Sequence, residues 1–412
     1  MTPSLRAAAA LLLCTMLAAC AGAPTPSPAP APAMATPPVP VVLVSIDGFR
    51  ADYLDRGITP TLSRIAREGV RGDGMTPSYP SLTFPNHYTL VTGLRPDRHG
   101  VVQNTMRDAV LGPFKSSNEA NAGDARWWNG GEPLWVTAER AGVRTATMFW
   151  PGSQAPIHGV HPREWVRYDK TLGNDARVDQ VVTWLRAPEA ERPRLVTLYF
   201  ETLDVVGHDF GPDSPEMARA IASVDASIAR LVDALGPQVN LVIVSDHGMA
   251  AVPPGQLIAV EDMVDPADAE VIATGQSVGF APRPGRTRAA EAQLLGAHPH
   301  YECWKKSGLP ARWHYGTNPR VPPIVCQVEA GWDAIHRADF VKRPAHARGS
   351  HGYDPALPVM RALFVARGPA FRAGARLPVF DNVDVYPLLA RLIDVPPLPN
   401  DGTIAPLLPA LK

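Results

Sequence analysis

The chain has 412 residues, 45% of them hydrophobic, and a net charge of −1 at pH 7. That length and apolar content supply a large buried core, enough for one big α/β domain with an insertion or for two domains. The neutral balance excludes a scaffold that grips nucleic acid through a basic surface, so no stable nucleic-acid partner is expected, though a nucleotide in a small site is compatible with it.

The first residues read as an export signal. Arg6 supplies the positive start and the run from Ala7 past Leu13 the apolar stretch, too short for a comfortable membrane span. The run ends in Leu17-Ala18-Ala19-Cys20, which resembles a bacterial lipobox with cleavage before Cys20 and lipid on its thiol; a plain secretory signal cut nearby is the alternative. Residues 1–19 are the expected signal peptide, and either way the protein is expected in the periplasm or cell envelope. Residues 20–40, almost all Ala, Pro, Thr and Ser, cannot build a core and read as an extended tether between a membrane anchor and the folded part.

From Val41 to about Ala250, strand-like runs (Val41 to Ile46, Leu195 to Phe200, Leu241 to Ser245) alternate with helical stretches (Thr61 to Glu68, Pro215 to Leu235). This βαβ alternation predicts an α/β fold with a largely parallel central sheet flanked by helices. Ala362 to Ala366 and Val383 to Leu392 read as a further strand and helix, so residues 41–250 and 343–412 form the expected core. Residues 251–342 differ in texture, with short β-like pieces such as Val271 to Ala273 and many Pro and Gly, and read as an inserted subdomain capping the active-site edge. Cys14 and Cys20 fall in the signal region. Cys303 and Cys326 are then a lone pair in an oxidising compartment, and a disulfide is expected, with two buried thiols as the alternative.

Six metal-ligand types, Asp47, Asp204, His208, Asp246, His247 and His351, are scattered over the chain, and nearly every one follows an apolar run. In a parallel sheet the carboxyl ends of the strands share an edge where ligands bind, so distant residues can converge there. Three carboxylates and three imidazoles without a thiolate suit a pair of zinc ions or similar borderline metals in a hydrolytic site. One aspartate after one strand is often only a helix cap, and that reading stays open for Asp47 alone. Asp204 and His208, four apart, share a side if their segment is helical. His351 lies between Gly349 and Gly352, where the backbone can approach a ligand closely.

Thr83, in Ser81-Leu82-Thr83-Phe84-Pro85-Asn86-His87, precedes a stretch that reads as a helix with Pro85 in its first turn. At a helix N-terminus it would either cap the helix or, with a metal on its hydroxyl, serve as an activated nucleophile.

Four ordered runs carry a family resemblance: Ser45-Ile46-Asp47-Gly48-Phe49-Arg50, Thr83-Phe84-Pro85-Asn86-His87-Tyr88, Ser245-Asp246-His247-Gly248-Met249 and His351-Gly352-Tyr353-Asp354. Together they resemble the nucleotide pyrophosphatase/phosphodiesterase branch of the alkaline phosphatase superfamily. The resemblance implies one zinc on Asp204, His208 and His351, and a second on Asp47, Asp246 and His247 with the nucleophile Thr83 beside it. It implies that Asn104 meets a phosphoryl oxygen and that Phe84, Tyr168 and Tyr199 enclose a nucleobase. The activity implied is hydrolysis of nucleotide phosphodiester or phosphoanhydride bonds to nucleoside 5′-monophosphates through a phosphothreonine. Other hydrolases of the superfamily and a metal-binding lipoprotein without turnover remain as alternatives. A sulfatase would carry Pro two residues and Arg four residues after its nucleophile; Pro85 fits, but His87 stands where the Arg would be.

Overall fold

The structure, a computed structural model, describes residues 39–412. The export signal, Cys20 and the tether up to residue 38 lie outside the described residues. The central sheet has eight strands: β1 (Val41–Ile46), β2 (Val70–Gly72), β3 (Thr145–Met148), β4 (Glu164–Val166), β5 (Leu195–Phe200), β6 (Asn240–Val244), β7 (Phe364–Arg367) and β8 (Ala375–Leu377). Their spatial order is β8-β2-β7-β6-β1-β5-β3-β4. All pairs are parallel except those of β7, which runs against both β6 and β2. The expected largely parallel sheet is what forms.

β1 sits at the middle of the sheet, and all six of its residues are buried. Its side chains alternate between two cores, as the pleat of a strand covered on both faces requires. Val41 and Leu43 join one cluster; Val42 and Ile46 join the other. The second core is closed by α1 (Pro60–Glu68), α3 (Asn174–Leu185) and α5 (Pro215–Leu235) through Ile65, Val181, Val224 and Ile228. The first is closed by α2 (Thr83–Thr92) and α6 (Val385–Leu392) through Tyr88, Leu90, Leu388 and Leu389. A further helix, α4 (Thr202–Phe210), leaves β5 after a single residue.

Between β6 and β7 the chain builds a separate five-stranded antiparallel sheet from residues 269–328, with its own core of Val278, Phe280, Leu294, Ile324 and Val328. Cys303 and Cys326 oppose each other in that sheet and are disulfide-bonded. The excursion opens and closes on one short ladder, in which Ala250–Val252 runs antiparallel to Arg348–Ser350. This pairing returns the chain to the carboxyl edge of the central sheet and sets His351 beside His247, their rings stacked 3.7 Å apart.

Candidate active site

β1, β5 and β6 are adjacent, and each delivers ligand-type residues to the same edge. Asp47 follows β1 directly, its amide bonded to the Phe200 carbonyl at the end of β5 (2.9 Å). Asp246 and His247 follow β6, and Asp204 and His208 lie one turn apart on α4. Gly48 has φ of +71°, and a Cβ there would stand 3.2 Å from Cα of Asp204, so a side chain at this position would press on the helix that carries two of the six residues. At Gly349 the close approach expected near His351 is to protein rather than ligand, since a Cβ there would stand 2.4 Å from the Gly207 carbonyl of α4.

The three imidazoles share one orientation. Nδ1 of His208 faces the Gly349 carbonyl at 3.1 Å, that of His351 the Ser81 carbonyl at 3.0 Å, and that of His247 the Gly248 carbonyl at 2.9 Å. A carbonyl only accepts, so each Nδ1 carries a proton and each Nε2 is left to face the site. Nε2 of His208 and of His351 lie 3.1 Å apart, and Oδ1 of Asp204 is 3.5 and 3.3 Å from them. Nε2 of His247 stands 3.5 Å from Oδ1 of Asp47, 3.0 Å from Oδ2 of Asp246 and 3.3 Å from Oγ1 of Thr83.

These residues fit divalent cations. Oδ1 of Asp47, Oδ1 of Asp204 and Oδ2 of Asp246 are buried without a hydrogen-bond partner, an arrangement that costs heavily unless a cation satisfies them. Asp204, His208 and His351 group as the resemblance implies. The other ligand atoms overlap more than two separate trios would, because Asp47 groups both with Asp204 and His247 and with Asp246 and His87.

His87 was not among the expected site residues. It lies one turn after Thr83 on α2, and that i, i+4 spacing was the signal available in the sequence. Its Nδ1 lies 2.9 Å from the Thr83 carbonyl and 3.3 Å from Oδ2 of Asp246, and its Nε2 lies 2.8 Å from Oγ of Ser45. With both nitrogens occupied it holds Asp246 and the start of α2 in place rather than offering a lone pair to a cation.

Electrostatics follow the burial. Burial, reinforced by the charges of Asp246 and Asp204, raises the Asp47 pKa well above the ordinary carboxylate value, and burial likewise raises that of Asp204. Burial pushes Asp246 the same way, but His247 and His87 outweigh it and hold that group well below its ordinary value. Burial depresses His208 to about 4 and His351 to about 3, which keeps both neutral and able to donate lone pairs at pH 7. For His247 burial is overcome by Asp246 and the pKa rises, so a proton there and a divalent cation compete for one place.

Thr83 is the first residue of α2. The N-cap position belongs to Leu82, and the Thr83 hydroxyl faces His247 instead of capping the helix. Asn104 is held by the same helix end, its Oδ1 accepting from the Phe84 amide at 3.0 Å, which leaves its NH2 group available to an acceptor. Phe84, Tyr168 and Tyr199 line one cavity of about 970 Å³ together with Phe149 and Trp150. Tyr199 also donates its hydroxyl to Oδ2 of Asp47 at 2.6 Å, a link between cavity wall and ligand cluster that no motif announces.

A mostly parallel α/β sheet with this cluster at its carboxyl edge defines an alkaline-phosphatase-like hydrolase. A model of the type I phosphodiesterase/nucleotide pyrophosphatase family matches residues 41–354, and the chain belongs to that family. It is 34% identical over 367 residues to human ectonucleotide pyrophosphatase/phosphodiesterase family member 5, covering 88% of this chain and 76% of that one. It is 36% identical to a mouse bis(5′-adenosyl)-triphosphatase over 372 residues, 88% of this chain and 79% of that one. Among solved structures, mouse ectonucleotide pyrophosphatase/phosphodiesterase 5, as an inactive variant in complex with AMP, superposes with a TM-score of 0.86 at 34% identity, covering 91% of this chain and all of that one.

Proposed function

We propose that this chain is a zinc-dependent phosphodiesterase and nucleotide pyrophosphatase that releases nucleoside 5′-monophosphates through a phosphothreonine at Thr83. The observation that carries the reading is the position of Thr83 Oγ1, 3.3 Å from Nε2 of His247, with the adjoining Phe84 lining the large aromatic cavity. Asp204, His208 and His351 would hold one ion and Asp47, Asp246 and His247 the other, an N/O donor set that suits zinc. When bound, two such ions supply positive charge at the attacking and departing oxygens and lower the pKa of the threonine hydroxyl and of water.

The chain's own residues do the rest. α2 points its N-terminus and Thr83 at the phosphorus, a placement that favours an anion. Asn104, fixed by the Phe84 amide, donates from its NH2 group to a phosphoryl oxygen. Phe84 and Tyr168 offer ring faces to a base, and Tyr199 orients Asp47 while forming the wall beside it. Binding of AMP by the related mouse protein supports a nucleotide in this cavity. We also propose that Cys20 is lipidated and tethers the enzyme in the cell envelope; a Cys20→Ser variant found in the membrane fraction as fully as the unaltered protein would remove that reading.

Charge favours diesters. Two zinc ions, three aspartates and a threonine alkoxide leave the inner cluster near neutral, and among the described residues no Lys or Arg hydrogen-bonds Thr83, Asn104 or the three aspartates. A diester brings one negative charge at phosphorus, whereas a monoester dianion would call for another cation. An aryl ester of a nucleoside 5′-monophosphate is expected to be hydrolysed with at least about a hundredfold higher kcat/KM than the matching aryl phosphate, a gap of roughly 2.7 kcal/mol. Equal or reversed efficiencies would place the chain among phosphomonoesterases.

A further inference from the structure

A second cavity, of about 630 Å³, is walled by His208 and by Ser350, the neighbour of His351. It shares no lining residue with the aromatic cavity, which reaches the cluster through Phe84 and Tyr199. The two cavities therefore abut different ends of the ligand cluster, and a substrate with its phosphorus between them has one substituent for each.

Both cavities carry charged side chains, but in the first Arg167 and Lys170 are matched by Glu119 and Asp169, whereas in the second the cations outnumber the carboxylates. Lys342, Arg343 and Arg348 line it against two carboxylates, Asp209 and Asp333. Asp333 is buried and already engaged by Arg348 and Gln276. Arg343, half-buried, reaches Asp333 only at 3.8 Å, and its buried Nε has no hydrogen-bond partner. Lys342 pairs with Asp339 on its own turn at 2.6 Å, an exposed contact of the kind that costs little to give up. A guanidinium left partly unsatisfied in the same cavity as an exposed ammonium is a place for phosphate oxygens, which match the fork of an arginine.

We propose that this cavity receives the anionic leaving group of a nucleoside polyphosphate, that is, the phosphates beyond the bond that breaks, with Arg343 and Lys342 as their partners. The assignment rests on the phosphodiesterase reading above: Thr83 attacks from beside His247, so in an in-line displacement the leaving oxygen departs toward the Asp204, His208 and His351 end of the cluster. It makes these two side chains determinants of specificity, separating substrates with a charged leaving group from those with an uncharged one.

The test uses the double substitution Lys342→Ala and Arg343→Ala in the metal-loaded protein, with Arg348 left in place because its pairing with Asp333 is structural. The readout is the ratio of kcat/KM for a nucleoside triphosphate to that for an aryl ester of the same nucleoside monophosphate, expected to fall at least tenfold. A binding readout keeps the proposal separate from turnover. In a Thr83→Ala background, calorimetry should show the double substitution weakening the triphosphate at least fivefold while the ratio of monophosphate affinities stays within twofold. An unchanged ratio, or equal loss on charged and uncharged substrates, overturns the proposal. Absence of turnover on both substrates in the unsubstituted enzyme would instead defeat the phosphodiesterase reading, and the calorimetric comparison would still decide whether this cavity binds the phosphates.

Discussion

Nε2 of His208 and Nε2 of His351 face each other at 3.1 Å, while the Nδ1 of each ring is committed to a backbone carbonyl. Two neutral imidazoles in those tautomers would oppose lone pairs, and a cation between them turns that repulsion into ligation. Chelation is therefore expected to abolish activity and lower the melting temperature, with zinc restoring both. Metal held at about 1,000 times its Kd contributes roughly 4 kcal/mol of stability. Elemental analysis should find two ions per active chain, and activity in protein with one ion or none would contradict the ligand assignment.

Thr83→Ala tests the nucleophile with little structural risk. The Thr83 hydroxyl makes no cap bond, so α2 keeps its N-terminus and the melting temperature should move by no more than a degree or two. kcat/KM should fall by at least about a thousandfold, as loss of a covalent nucleophile generally causes. A variant that retained near-normal turnover would eliminate the phosphothreonine.

His99 gives an acid limb to stability that is independent of the metal site. It is fully buried, its Nδ1 accepts from the Val101 amide at 3.1 Å, and burial depresses its pKa to about 3. The ordinary value is near 6.5, so between about pH 6.5 and 3 the unfolded chain holds a proton that the folded chain refuses. Stability from this group is complete above about pH 6.5 and is lost as pH falls toward 3, with a slope of up to about 1.4 kcal/mol per pH unit. His99→Gln should show a smaller drop in urea midpoint between pH 7 and pH 5 than the unaltered protein. An identical drop in both would mean that His99 does not carry the effect.

The bond between Cys303 and Cys326 closes a loop across 23 positions of the inserted sheet. The chain-entropy model assigns such a crosslink about 3 kcal/mol. Cys303→Ser with Cys326→Ser should destabilise the protein by that order in denaturant unfolding, and peptide mapping of protein denatured without reductant should find no free thiol at Cys303 or Cys326. Free thiols at both positions would exclude the bond.

Much of the architecture was legible because it rests on local patterns. The runs ending at Asp47, Phe200 and Ser245 are continuous and apolar, as strands covered on both faces must be, and their shared edge is a property of any parallel sheet. That edge collects Asp47, Asp246 and His247 whatever the loops do, and the four-residue step from Asp204 to His208 needs only a helix. Other features answered to contacts no local pattern records. The reversed direction of β7, the bond from Tyr199 to Asp47, the seat of His87 behind Asp246, and the use of Gly349 to admit α4 all join positions far apart in sequence. The same holds for the basic cavity, which joins Asp333 and Lys342 of the expected insertion to Arg343 and Arg348 at the start of the expected core segment after it. Residue types and strand ends by themselves determined which chemistry gathers at the edge of the sheet. Only the tertiary structure decided the rotamers, tautomers and neighbours that set its geometry, because these follow from the packing of elements that the sequence keeps apart.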